Sequence, residues 1–88
     1  MRVIWADQAW DDYTYWLRQD RTKVRRVNAL IASIRSDGPA TGIGKPEALR
    51  ANWSGWFSRR IDEEQRLVYR VAGGDLEAAQ ARYHYGTS

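Results

Sequence analysis

From Trp56 to Tyr85 the chain alternates with period two, and turn residues break the alternation twice. Trp56 to Ile61 reads as a strand, Asp62-Glu63-Glu64 as a turn and Gln65 to Ala72 as a second strand. Gly73-Gly74-Asp75 is a second turn and Leu76 to Tyr85 a third strand. With three loop residues in each turn, directly opposed residues share a face. Leu67, Tyr69 and Val71 then lie with Phe57, Ile61, Ala79, Ala81 and Tyr83. The other face carries Arg60, Arg66, Arg70, Gln80, Arg82 and His84, and the sorting fails only at Arg59, on the apolar side, and Val68, on the basic side. Slipping the last pairing by one residue would drive arginines into a small core, so the pattern itself fixes a register. A β-bulge would change the parity.

Such a meander needs a cover for its apolar face, and the first half of the chain supplies one. Arg2 to Trp5 is β-branched and aromatic and reads as a strand. Asp7 reads as a helix N-cap, followed by Trp10, Tyr13, Trp16 and Leu17 at helical spacing, a stripe that reads as core packing. Asp20 caps a second helix whose stripe is Val24, Val27, Leu30, Ile31 and Ile34. Asp37-Gly38-Pro39 ends it. Arg21, Lys23, Arg25 and Arg26 crowd the start of that helix, against its dipole, and read as a solvated face unless they adjoin a site. The expected architecture is α+β: two N-terminal helices packed on a twisted, mainly antiparallel β-sheet, in a single domain spanning residues 1–88.

The 88 residues contain no cysteine, which excludes disulfides and thiolate metal sites and fits a reducing cytoplasm. No apolar run is long enough for a signal peptide or a membrane span, so a soluble, cytoplasmic protein with no membrane partner is expected. The formal net charge is +3, with arginines recurring through the middle and C-terminal third, a balance that favours an anionic partner.

Candidate chemistry gathers in two stretches. His84, the only histidine, stands between Tyr83 and Tyr85 with Arg82 nearby: an acid-base group, a cation and aromatic faces on which bases stack. The loop from Gly38 ends in Gly44-Lys45-Pro46-Glu47, which is not a phosphate-binding P-loop because proline follows the lysine. Glu47, between Lys45 and Arg50, is expected to stay ionised. Metal-free RNA cleavage needs a base for the 2′-hydroxyl, a cation for the phosphorane-like transition state and an acid for the leaving 5′-oxygen. Glu47, Arg66 and His84 are the candidates for those posts; the alternative is a solvated basic face with a surface histidine. Carboxylates and histidines do not cluster at metal spacing, and no nucleophile elbow is present, so no metal or other cofactor is expected.

Over nearly the whole length these residues resemble the YoeB/Txe-type toxins of the RelE superfamily. The resemblance is carried by Val3-Ile4-Trp5, Trp10-Asp11-Asp12-Tyr13, Tyr15-Trp16, Asn28, Leu30-Ile31 and Gly42-Ile43-Gly44-Lys45-Pro46-Glu47. It continues through Ser54-Gly55, Ser58-Arg59-Arg60-Ile61, Arg66-Leu67-Val68-Tyr69 and Arg82-Tyr83-His84-Tyr85. It implies a ribosome-dependent mRNA endonuclease, an mRNA interferase, that cuts in the A site of the 70S ribosome by 2′-hydroxyl attack. It also implies silencing by a YefM-type antitoxin, a homodimer, and contact with operator DNA only through the antitoxin complex. By the same resemblance Glu47 is the general base, His84 the general acid and Arg66 the transition-state cation. Arg50 and Arg60 correspond to phosphate contacts and Tyr85 to the group that orients a base, with Lys45 and Arg82 as further substrate contacts. Three departures stand out: Arg50 where lysine is usual, Gln65 where histidine is common, and the tail Gly86-Thr87-Ser88. Two other readings use the same basic face: a non-cleaving inhibitor of translation initiation that occupies the ribosome, and a non-toxic corepressor acting with its antitoxin.

Overall fold

The computed structural model describes residues 1–83. Strand β1 (Val3–Trp5) leads into helix α1 (Asp7–Gln19) and helix α2 (Arg21–Asp37). A loop then reaches β2 (Glu47–Ala48) and, past a 3-10 turn at Ala51–Trp53, the meander β3 (Phe57–Arg60), β4 (Arg66–Ala72) and β5 (Asp75–Gln80). The five strands form one sheet in the order β1-β5-β4-β3-β2. Every pairing is antiparallel except β1 with β5, so the sheet is mixed but mostly antiparallel, and the two helices pack on one face.

Local chemistry explains the helix boundaries. Asp20 lies between the helices in an extended conformation, and its carboxylate accepts the Thr22 N–H at 3.0 Å, capping α2 as expected. The expected cap at Asp7 is not found: Ala6 is the N-cap, and Asp7 is the first helical residue, where its charge faces the positive end of the dipole. The stripe Val24, Val27, Leu30 and Ile34 is buried, with Ile31 at its edge. Each such side chain contributes about 1.5–3 kcal/mol of transfer free energy. On α1 the buried residues are Ala9, Asp12 and Trp16. Trp10 is half exposed and stacks on Tyr13 rather than entering the core.

The register of β3 with β4 matches the three-residue turn: Phe57 opposes Tyr69, Arg59 opposes Leu67 and Arg60 opposes Arg66. The second hairpin differs. Its turn has two residues, Gly73 and Gly74, both at positive φ, so Asp75 belongs to β5 and pairs with Ala72. That shift puts Leu76 and Ala78 on the core face instead of Ala79. An irregularity between Val68 and Tyr69 then leaves Ala79 as the extra residue of a bulge. Beyond it Val68 opposes Gln80, the pairing a three-residue turn gives. The shorter turn and the bulge cancel, and Ala81 still reaches the core. The strand ends at Gln80 rather than Tyr85, and Tyr83 is exposed at positive φ instead of packed inward.

Candidate nucleic-acid interface

The face of the sheet away from the helices carries three of the candidate side chains, Glu47, Arg60 and Arg66. Residues 58, 60, 66, 68 and 70 share it, because their strand neighbours Arg59, Leu67 and Tyr69 point to the core. Glu47 opposes Ser58 and so joins this face from the edge strand. Glu47, Ser58, Val68 and Gln80 thus form one row across four strands, and Arg60 and Arg66 form the next. Strand spacing and rise place the Cα atoms of Glu47 and Arg66 roughly 12 Å apart, a gap that an arginine and a bound phosphodiester can bridge. Glu47 is exposed, whereas Arg66 is only 8% exposed, its Nη1 donating to the carbonyls of Asp62 and Gln65 at 2.8 and 3.1 Å.

At one end of this face a cleft of about 450 Å³ is lined by Arg26, Gly44, Lys45, Arg60, Ile61, Asp62 and Glu63. It brings Lys45 and Arg60 together and adds Arg26 of α2, whose Nε donates to the Arg60 carbonyl at 3.2 Å. Of the basic run on α2, Arg26 therefore adjoins the site, while Lys23 is paired with Asp62 at 3.2 Å. The sequence signal for Arg26 was its place in a run of cations at the wrong end of a helix. The turn beyond the cleft is held by Asp62. Burial acts to raise its pKa, but the N–H groups of Gln65 and Glu64 and the Lys23 ammonium outweigh this and lower it.

Arg50 is exposed, just before the 3-10 turn. Arg82 lies elsewhere, its guanidinium 3.5 Å from the centre of the Tyr15 ring on α1 and 4.6 Å from that of Tyr83. It lines a small hollow with Gln8, Asp12, Gln80 and Tyr83. His84 and Tyr85 lie outside the described residues. The segment leading to them is tied to β4: the Tyr83 carbonyl accepts the Arg66 N–H at 2.9 Å, and the Tyr83 N–H donates to Gln65 Oε1. Gln65, one of the three departures, thus grips the backbone. Among the described residues no three His, Cys, Asp or Glu side chains gather so as to hold a metal ion, and no helix is long and apolar enough to cross a membrane.

The loop that carries Lys45 is organised by the arginine that broke the face pattern. Arg59 is fully buried, and its guanidinium donates to Tyr69 Oη at 2.8 Å, Ser33 Oγ at 2.9 Å and the carbonyls of Ile43, Gly38 and Thr41 at 3.0, 2.8 and 2.6 Å. Burial raises the pKa of Tyr69, against the effect of Arg59, so its hydroxyl stays a donor and reaches the Pro39 carbonyl at 2.6 Å. Gly42 passes so close to this cage that a Cβ would sit 2.1 Å from Ser33 Oγ.

Known proteins carry the same elements in the same order. A family profile described as YoeB-like toxin of bacterial type II toxin-antitoxin system matches residues 5–85. Toxin YoeB of Escherichia coli strain K12 is 49% identical over 85 residues, covering 97% of this chain and 100% of that protein. Among solved structures, a YoeB/ParE toxin from Agrobacterium tumefaciens superposes with a TM-score of 0.92 at 44% identity, covering 97% of this chain and 100% of that one. The Staphylococcus aureus YoeB dimer superposes with a TM-score of 0.91 at 41% identity, covering 97% and 98%. YoeB from the same organism is also known in a heterotetrameric YoeB-YefM toxin-antitoxin complex. With a family profile spanning nearly the whole sequence and close to half of its residues shared with full-length relatives, the chain belongs to the YoeB family of type II toxin–antitoxin toxins.

Proposed function

We propose that this toxin is an mRNA endonuclease that acts in the A site of the 70S ribosome. The observation that carries this reading is the register that sets Glu47, Arg60 and Arg66 on one sheet face, with the Tyr83 carbonyl bound to the Arg66 N–H directly before His84. Glu47 takes the proton of the 2′-hydroxyl, and the 2′-oxygen attacks the adjacent phosphorus. Arg66 stabilises the charge that develops on the phosphoryl oxygens. His84 protonates the 5′-oxygen as its bond to phosphorus breaks, leaving a 2′,3′-cyclic phosphate and a 5′-hydroxyl. Lys45, Arg50, Arg60 and Arg26 hold flanking phosphates, Tyr85 stacks on a base, and Arg82 contributes charge at the rim. The catalysis runs on side chains alone.

The dimer and the YoeB-YefM complex of the staphylococcal relative support a homodimer and a YefM-type antitoxin as partners of this chain. Operator DNA is met only through the antitoxin complex, and the site of action is the cytoplasm. The test is to map mRNA 5′ ends on programmed ribosomes with wild type, Glu47→Gln and His84→Gln. Wild type creates new 5′ ends within A-site codons, and each variant loses roughly a hundredfold to ten-thousandfold in rate. Arrest of translation without new 5′ ends would replace this reading with that of a non-cleaving inhibitor of initiation.

A further inference from the structure

Asp12 is 2% exposed, an unusual place for a carboxylate in so small a core. Its Oδ2 accepts the Ala81 N–H at 3.0 Å, and its Oδ1 accepts from Gln8 Nε2 at 2.7 Å. One helical turn on, the indole N–H of Trp16, itself 7% exposed, donates to the Ala81 carbonyl at 2.7 Å. Two side chains four residues apart on α1 thus take both backbone groups of a single residue. Ala81 lies just beyond the end of β5, where the sheet offers its backbone no strand partner. Arg82 then stacks on Tyr15 of α1, and Tyr83 is bonded to Gln65 and Arg66 of the β4 end. Three consecutive residues are held from both sides, although Ala81 contributes only a methyl group to the core. Packing alone would be served by apolar residues at positions 12 and 16; burying a carboxylate and an indole N–H is costly unless their directed bonds are used.

We infer that Asp12 and Trp16 are positioning residues for the reaction: they fix the Ala81 peptide so that the segment 81–83 delivers His84 to the leaving 5′-oxygen. The inference rests on the general-acid reading of His84. It concerns the acid step, since Glu47 stands on β2, three strands from β5 at the far edge of the sheet.

The experiment uses the full chain on programmed 70S ribosomes in single-turnover cleavage at saturating toxin. Two mRNAs are compared, one ordinary and one with sulfur in place of the bridging 5′-oxygen at the cut site. A thiolate leaves without being protonated, so the sulfur substrate bypasses the general acid. The variants are Trp16→Phe, which keeps the ring and removes the donor, and Asp12→Leu, which keeps the bulk and removes the acceptor, with His84→Gln as control. Each clamp variant slows the ordinary mRNA roughly tenfold to a hundredfold and cleaves the sulfur mRNA at the wild-type rate, with ribosome affinity unchanged. Asp12→Asn keeps an oxygen that accepts from Ala81 while Gln8 turns its own amide oxygen to the new N–H, so this conservative variant retains most of the rate. Equal slowing on both substrates, or none on the ordinary one, overturns the inference and leaves the clamp a brace of the fold. If wild type cuts but sulfur does not rescue His84→Gln, the general-acid reading itself fails and the inference with it.

Discussion

Two irregular segments flank the sheet, and they are held in opposite ways. The loop from Gly38 to Lys45 is gathered by one buried side chain, the Arg59 guanidinium, which reaches Ser33, Gly38, Thr41, Ile43 and Tyr69. The segment 81–83 reverses that arrangement: Asp12 and Trp16 converge on one residue, Ala81. A hub with many acceptors is all-or-none, because its loss removes every one of these bonds at once. A clamp with two points keeps one when the other is cut. The first arrangement suits a loop that must exist for the fold to close, and the second suits a segment whose exact aim matters more than its presence.

Cutting the hub has the largest expected effect. Arg59→Met leaves three backbone carbonyls and the Tyr69 hydroxyl without their donor, and backbone acceptors cannot be mutated away with it. We expect a loss of about 3 kcal/mol or more, read as a Tm lower by about 12 °C or more in a thermal melt. A melt unchanged from wild type would mean that the loop supports itself and the contrast between hub and clamp is false. Gly42→Ala comes next. Its methyl group would collide with Ser33 Oγ at φ +120°, so we expect a loss of about 1–3 kcal/mol. A smaller loss than for Arg59→Met would locate the stability in the hub itself.

The smallest expected effect belongs to a third anchor, Asp62, whose carboxylate accepts the N–H groups of Glu64 and Gln65 at 2.8 and 2.7 Å. Its pKa is lowered in the folded protein, so its contribution is present above the ordinary carboxylate range and is lost as pH falls below about 4. Asp62→Asn therefore melts slightly below wild type near neutral pH, and the two curves converge on acidification. A gap that widens in acid would contradict the assigned sign.

The limits of sequence reading follow from the same particulars. The β3–β4 register was legible because an apolar alternation and a turn of the right length agree. Arg59 was visible as an exception but not as a hub, because its loop acceptors are carbonyls 16 to 21 residues away and carbonyls carry no residue signature. The Ala79 bulge was invisible because it offsets the two-residue turn, leaving Val68 opposite Gln80 under either register. Arg60 and Arg66 could be placed on one face from parity, whereas Glu47 joined them only through the β2–β3 pairing and Lys45 beside Arg60 came from the fold of the loop. The clamp escaped notice because Trp16 sits in a stripe that reads as ordinary packing, Asp12 lies outside that stripe, and their partner lies 65 and 69 residues away.

The parallel pairing of β1 with β5 has a consequence in time. Val3 meets Leu76, so a strand made first must wait for one made almost last. Synthesis runs from the N-terminus at about 5–20 residues per second, and distant pairings form slowly even in the finished chain. Helix α1 waits too, since Asp12 and Trp16 have nothing to hold until Ala81 is free of the ribosome that is making it. A nascent chain with both helices formed still lacks the edge strand's partner and the fixed terminal segment. A chain assembled in this order completes its fold only after release.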